Sequence, residues 1–131
     1  PQAGAGAQAL EKQAAEALLV ALHEADGSPA TLDEIFSSRK IEPSLGRRAM
    51  ASLEKAGEAV RITKELAFST EALSQLEQAV RTRLADGASA SAAELRDAMG
   101  TTRKYAIPLL EYFDDKGITR RSGDERVLTG R

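Results

Sequence analysis

A helix-capping signature occurs twice in this chain, 60 residues apart, as Thr31-Leu32-Asp33-Glu34 and as Ser91-Ala92-Ala93-Glu94. Both have the form of a capping box, in which a hydroxyl accepts an amide hydrogen bond while the glutamate three residues later reaches back to the first residue. Amphipathic runs flank each signature. The sequence therefore predicts one supersecondary unit used twice, with small insertions distinguishing the copies.

The first copy is predicted to contain three helices and a hairpin. Apolar residues at helical spacing begin at Leu10 and stop at Asp26-Gly27-Ser28-Pro29; the capping box then starts a short helix, and a third helix runs from Pro43 to Gly57. Alternating apolar residues around a turn at Lys64-Glu65 predict two strands with one buried face. The residues expected on that face are Val60, Ile62, Leu66 and Phe68.

The same order recurs after Thr70. A helix ends at Asp86-Gly87, a third helix spans residues 102–115, and a hairpin turns at residues 122–125, where Gly and Asp tolerate a positive φ. Pro108 predicts a kink near Lys104, because proline lacks an amide donor and crowds the carbonyl four residues earlier. The apolar residues expected in the core of this copy are Leu73, Leu76, Val80 and Leu84.

Aligning Leu53-Glu54 with Leu110-Glu111 and Val60 with Ile118 gives local offsets of 57 and 58 residues between the copies. Three helices followed by a hairpin form a winged helix, so the fold class expected is mainly α with short β-hairpins, an α+β fold of tandem winged-helix domains. We expect a linker or disordered start over residues 1–8, a first winged helix over 9–69 and a second over 70–131. The small residues at the start and the lack of an initiator Met suggest a piece of a longer protein.

Composition excludes several classes of function. The chain has 131 residues, a formal net charge of −2, no cysteine and one histidine, His23. Disulfides and cysteine metal sites are therefore absent, and no phosphate-binding glycine loop or serine elbow occurs. We expect no catalysis, no cofactor and no metal site in this chain. Without a secretory signal or an apolar run of membrane-spanning length, a cytoplasmic protein is expected.

Basic residues concentrate near the C-terminus. In a helix-turn-helix fold, the start of the third helix and the hairpin come to one side, so these residues predict a positive surface that binds nucleic acid. The alternative is that they only add solubility and that Tyr105 belongs partly to the core. The candidate residues are Arg103, Lys104, Tyr105, Arg120, Arg121, Gly123 and Arg126.

Other polar groups receive no function from the sequence. His23 near the end of the first helix is interpreted as a solvated cation beside the helix dipole. Glu111, Asp114 and Asp115 are interpreted as a solvated helix face rather than as metal ligands.

The run from Gly100 to Asp114, followed by Thr119-Arg120-Arg121, Gly123-Asp124 and Arg126-Val127-Leu128, closely resembles the C-terminal end of the bacterial selenocysteine-specific translation elongation factors, the SelB family. The resemblance is strong over the second module, whereas the first module agrees mainly in pattern. Departures from the family pattern are Asp115, Ser122 and Glu125.

The resemblance implies that the last winged helix binds the selenocysteine insertion (SECIS) hairpin of messenger RNA. Arg103 and Lys104 would contact phosphates, and Arg120, Arg121 and Arg126 would contact backbone and loop bases. Gly123 would allow close approach of the wing, and the first module would act as a spacer that orients the second. In the full-length factor, upstream domains would bind GTP with Mg²⁺, selenocysteyl-tRNA and the ribosome; this chain is expected to be a monomer without membrane contact.

Two other functions remain open at this point. A tandem winged helix could read duplex DNA as a transcription regulator, although Pro108 and the acidic residues of the third helix oppose this. A protein-protein interaction module is the second alternative, and it predicts no salt-dependent RNA binding.

Overall fold

The computed structural model describes residues 2–129, with side chains from Gly6 onward. The backbone divides into two compact units, Pro1–Leu73 and Ser74–Arg131. The helices are α1 (Gln2–Ala25), α2 (Leu32–Ser38), α3 (Pro43–Ala56), α4 (Thr70–Arg83), a 3₁₀ turn (Ala85–Gly87), α5 (Ala92–Met99) and α6 (Arg103–Asp115). The strands are β1 (Ala59–Thr63), β2 (Leu66–Ser69), β3 (Ala90–Ser91), β4 (Thr119–Ser122) and β5 (Glu125–Leu128).

Helix α1 begins at Gln2, where the sequence predicts a linker over residues 1–8. Alanine has the highest helix propensity of all residues, so the alanine-rich start can extend the amphipathic run toward the N-terminus. From Ala14 onward, one face of α1 enters the first core, which packs against residues of α2, α3 and the hairpin. Its fully buried members include Leu18, Leu22, Leu32, Ala49, Met50 and Ala67.

The first hairpin pairs β1 with β2 in antiparallel register, with an irregularity between Arg61 and Thr63. All four residues of β2 are buried, including Ala67, which the sequence places on the exposed face. Val60 and Ile62 are only half-buried, whereas Ala59 is buried. The expected alternation is therefore wrong here, because β2 is covered on both faces.

The division between the units falls four residues later than the sequence suggests, inside α4. Two hydrogen bonds tie the start of this helix to the turn before β1. The Thr70 amide donates to the Glu58 carbonyl, and the Thr70 hydroxyl donates to the Gly57 carbonyl. Leu76 and Val80 of α4, and Leu84 directly after it, lie in the second unit and are buried, as expected. Leu73 is also buried, but it belongs to the first unit rather than the second.

The wing of the second unit has three strands rather than two, in the order β3-β5-β4. Ala90 pairs with Arg126, and Ser91 pairs with Glu125. The sequence gives no signal for β3, because two residues are too short to show alternation. Between β4 and β5, Gly123 has a φ of 66°, which glycine adopts without steric cost.

The two units share a period of 60 residues up to the first strand of the hairpin, and the offset is 59 from the second strand onward, where Ala67 corresponds to Arg126. The offsets of 57 and 58 are wrong, because the Glu58 amide donates to the Leu53 carbonyl and the Ile118 amide donates to the Phe113 carbonyl. Leu53 therefore corresponds to Phe113. Further structurally equivalent pairs are the capping residues Thr31 and Ser91 and the positive-φ residues Asp26 and Asp86, Lys40 and Gly100, and Gly57 and Gly117.

Candidate nucleic-acid interface

The start of α6 presents two cations beside an open helix end. Arg103 and Lys104 occupy its first turn and are both exposed. The Thr102 side chain makes no capping hydrogen bond. Because the N-terminus of a helix carries partial positive charge, this end attracts anions such as phosphate.

Tyr105 belongs to the core rather than to an exposed stacking surface. Only 9% of the residue is exposed, and the Lys104 ammonium lies 5.4 Å from the centre of its ring. This burial agrees with the alternative that Tyr105 belongs to the core, and its RNA contact stays a prediction. The ring of Tyr105 makes a cation–π contact with the Lys104 ammonium, which helps to hold this side chain in place.

Arg96 of α5 joins Arg103 at a shallow depression, with a volume of about 160 Å³, between α5 and α6. Its other lining residues are the apolar Ala92, Ala93, Ala106 and Ile107. Sequence reasoning missed Arg96, because nothing in the sequence indicates that its side chain lines the same depression as Arg103. We call Arg96, Arg103 and Lys104 the helix-start group.

The wing carries a second pair of exposed cations, Arg120 and Arg121 on β4, which we call the wing group. Arg120 lies opposite Val127 and Arg121 lies opposite Arg126, so the two side chains point to opposite faces of the wing. Among the residues that the structure describes, no carboxylate forms an ion pair with either of them. Both guanidinium groups are available to a ligand.

Arg126 is buried, with 8% of the residue exposed, and it is paired inside the protein. Its Nη2 lies 2.9 Å from Asp114 Oδ2, and its Nε donates to both carboxylate oxygens at 3.1 Å. The RNA contact expected for Arg126 stays a prediction, and the structure shows this guanidinium bound inside the protein. The Asp114 carboxylate, interpreted from the sequence as part of a solvated face, instead anchors the wing to α6.

The helix-start group and the wing group lie at different ends of α6. Arg103 is in the first turn of the helix, and Asp114, which holds the wing, is in the last. At 1.5 Å per residue these positions are separated by about 16 Å along the helix axis. The cations thus flank a length of helix rather than converging on one point.

The residues equivalent to Arg103 and Lys104 in the first unit are the uncharged Pro43 and Ser44. Glu42 caps α3 by accepting hydrogen bonds from the amides of Ser44 and Leu45, and the hydrogen bond from the Ser44 side chain, followed by these amides, lowers its pKa below the usual 4.5. Arg47 forms ion pairs with Asp33 at 2.7 Å and Glu65 at 2.8 Å. A negative charge thus occupies the helix end that is open in the second unit.

Other potential sites are not supported in the described part of the chain. Residues 2–129 contain no group of three or more His, Asp or Glu side chains arranged to hold a metal ion. His23, Glu111 and Asp115 are exposed. Within the same range, no helix combines the length and apolar character needed to cross a membrane.

Residues 82–128 match the family model described as elongation factor SelB, winged helix. The selenocysteine-specific elongation factor of Haemophilus influenzae is 29% identical over 105 residues, which cover 80% of this chain and 17% of that protein. The corresponding factor of Escherichia coli is 36% identical over 67 residues, covering 51% of this chain and 11% of that protein. The chain thus spans less than a fifth of the length of these relatives.

Two solved structures share the fold. The mRNA-binding domain of elongation factor SelB from E. coli, solved in complex with SECIS RNA, matches with a TM-score of 0.75 and 26% identity, covering 93% of this chain and 95% of that one. A bacterial selenocysteine-specific elongation factor, EF-Sec, matches with a TM-score of 0.71 and 29% identity, covering 92% of this chain and 19% of that one. With the winged-helix architecture of both units, these matches show that the chain is similar in sequence and fold to the C-terminal winged-helix region of the SelB elongation factors.

Proposed function

We propose that this chain binds the selenocysteine insertion hairpin of messenger RNA and thereby directs selenocysteine incorporation during translation. The observation that supports this most is the likeness over nearly the whole chain to a SelB domain solved with SECIS RNA. Neither the transcription-regulator reading nor the protein-interaction reading has comparable support. The RNA contacts belong to the second unit.

The division of labour among the cations follows from their chemistry. Arg103 and Lys104, at the open end of α6, bind phosphates of the hairpin, because the helix end and both side chains are positive. Arg120 and Arg121 bind backbone and unpaired loop bases, since a planar guanidinium can both stack and donate paired hydrogen bonds. Gly123, exposed at the turn with a φ of 66°, lets the wing approach the RNA closely.

The depression between α5 and α6 suits an unpaired base. Its apolar lining, which includes Ala93, Ala106 and Ile107, offers a surface for the face of a base, while Arg103 stands beside it for the attached phosphate. Arg96 also lines the depression, with its Nε 3.2 Å from Asp97 Oδ1. Sequence-specific RNA readers take unpaired bases in this way, because the deep groove of A-form RNA does not admit side chains.

The first unit acts as a spacer that orients the second. Its equivalent helix end is capped by Glu42, and its hairpin arginine, Arg61, is held by Glu54 at 2.8 Å. These carboxylates offset the positive charge at the helix end and at the hairpin arginine of the first unit.

The remaining activities of the whole factor lie outside this chain in our proposal. GTP and Mg²⁺ binding, and contacts with selenocysteyl-tRNA and the ribosome, belong to other parts of the full-length protein. This chain is a monomeric, non-catalytic module without a cofactor, and it works in the cytoplasm.

Equivalent arginines in the two units provide a matched test. Arg121 and Arg61 stand 60 residues apart, one unpaired and one paired with Glu54. Arg121→Ala should weaken hairpin binding about tenfold or more, as expected for one hydrogen bond to a charged group. Arg61→Ala should leave the dissociation constant, measured by fluorescence anisotropy, nearly unchanged. Equal losses in the two variants would refute the assignment to the second unit.

A further inference from the structure

We propose that Arg126 is a positioning residue that keeps Arg121 available for RNA by occupying the carboxylate of Asp114. This inference rests on the proposed function, because it assigns a role within the same RNA-binding surface. It replaces the direct RNA contact that the sequence suggests for Arg126.

The Asp114 carboxylate is fully engaged in the structure. Arg126 donates to both of its oxygens, and the Thr119 hydroxyl donates to Oδ1 at 2.6 Å. Thr119 is 1% exposed and Arg126 is 8% exposed. This cluster therefore joins the last turn of α6 to both β4 and β5, away from solvent.

Arg121 is the neighbour that would otherwise take this carboxylate. It pairs directly with Arg126 across the two strands, so both side chains leave the same face of the wing, with Cβ atoms about 5 Å apart. Two like charges at such a spacing repel each other unless an acid lies between them. Asp114 compensates Arg126, and Arg121 extends into solvent.

The first unit shows the alternative arrangement. Glu54, the counterpart of Asp114, accepts a hydrogen bond at 2.8 Å from Arg61, the counterpart of Arg121. The residue that pairs with Arg61 across the first hairpin, as Arg126 pairs with Arg121, is Ala67, which is buried and carries no charge. Where the second strand supplies no arginine, the helix acid holds the arginine of the first strand.

The comparison predicts what loss of Arg126 does. In Arg126→Leu, which like Ala67 of the first unit supplies no charge at this position, Asp114 captures Arg121 and withdraws it from RNA. In the double variant Asp114→Asn/Arg126→Leu no carboxylate remains, so Arg121 is free again. Asp114→Asn alone also leaves Arg121 free.

The test measures binding of the full chain to the selenocysteine insertion hairpin for the wild type and these three variants. Arg126→Leu should weaken binding about tenfold or more, the loss expected for one charge-assisted hydrogen bond, and the double variant should return to near the wild-type value. If Arg126 contacts RNA itself, the double variant still binds the hairpin weakly, and the inference is overturned. Should Arg126→Leu not fold, the double variant decides alone, because a neutral pair at a buried site is often well tolerated.

A second readout needs no RNA. The side-chain Nε–H signal of Arg121 in NMR spectra should show a mobile guanidinium in the wild type and a restrained one in Arg126→Leu. An unrestrained Arg121 in that variant would contradict the inference. Another outcome is that the wild type binds no hairpin while Arg121 becomes restrained in Arg126→Leu. In that case the proposed function is wrong, but the inference that Asp114 binds Arg121 when Arg126 is lost is supported.

Discussion

At the residue scale, Lys104 is our candidate for a phosphate contact. It is exposed in the first turn of α6, and its ammonium lies over the ring of Tyr105. A lysine acts as a point charge and contributes through counterion release. Lys104→Ala should weaken binding to native and scrambled hairpins alike.

The measurement for Lys104 is the salt dependence of the binding constant. The slope of log K against log salt should become shallower by about 0.7 to 0.9, the contribution of one phosphate contact. A change of preference between the two hairpins, without a change of slope, would show that Lys104 reads a base instead.

Arg120 is our candidate for base reading. It is exposed on β4, opposite Val127, and it shares a strand face with the half-buried Ile118. Arg120→Lys keeps the charge but removes the planar fork, so discrimination between native and scrambled loops should fall by about 1 to 3 kcal/mol. Competition binding with the two hairpins measures this, and an unchanged preference would remove Arg120 from base reading.

The sequence shows which basic residues lie near the C-terminus, but it does not show which of them are exposed and which are paired inside the protein. Arg121 and Arg126 are equally plausible in the sequence, yet one is exposed and the other is bound to Asp114. The difference depends on which strand residue faces the last turn of α6, and that follows only from the register of β4 and β5. The role of Arg96 likewise depends on how α5 packs against α6.

At the scale of elements, both predicted capping boxes are confirmed. The Glu34 amide donates to the Thr31 hydroxyl, and the Glu94 amide donates to the Ser91 hydroxyl, each with the reciprocal bond in place. Such caps depend on four consecutive residues, so sequence predicts them well. Strand β3 and the double burial of β2 depend on distant partners, which local patterns do not show.

The caps predict unit-specific stability. Both tyrosines, Tyr105 and Tyr112, lie in the second unit, so tyrosine fluorescence reports on that unit alone. Ser91→Ala should lower its free energy of unfolding by about 1 kcal/mol, whereas Thr31→Ala should leave its urea midpoint unchanged. Circular dichroism should detect the loss in Thr31→Ala. A shift of the fluorescence midpoint in both variants would indicate that the units unfold as one.

The α5 cap also predicts a pH dependence. Hydrogen bonding from the Ser91 backbone, and then from its side chain, lowers the pKa of Glu94 below 4.5. A carboxylate with a depressed folded-state pKa stabilises the fold above its unfolded-state pKa, and this stabilisation is lost as the pH falls through the folded value.

Glu94→Gln should therefore reduce the loss of second-unit stability between about pH 5 and pH 3, where the carboxylate becomes protonated. Urea unfolding followed by tyrosine fluorescence across this range measures the effect. The cap is not the source of the acid sensitivity if the variant and the wild type lose stability in parallel.

At the scale of the whole molecule, one 60-residue plan serves two purposes. Both units share the capping residues and the left-handed helix ends. They differ at the start of the third helix, where Glu42 closes one end and Thr102 leaves the other open. We infer that charge pairing within a common fold separates a spacer from an RNA-binding unit.

The central claim is sequence-dependent recognition of an RNA hairpin by this chain. A gel-shift titration of the full chain against the native selenocysteine insertion hairpin and a scrambled-loop hairpin of equal length tests it directly. We predict tighter binding to the native hairpin by about tenfold or more, as one specific base contact contributes about 1 to 3 kcal/mol. Equal affinity for both hairpins, or no salt-dependent binding to either, would contradict the account.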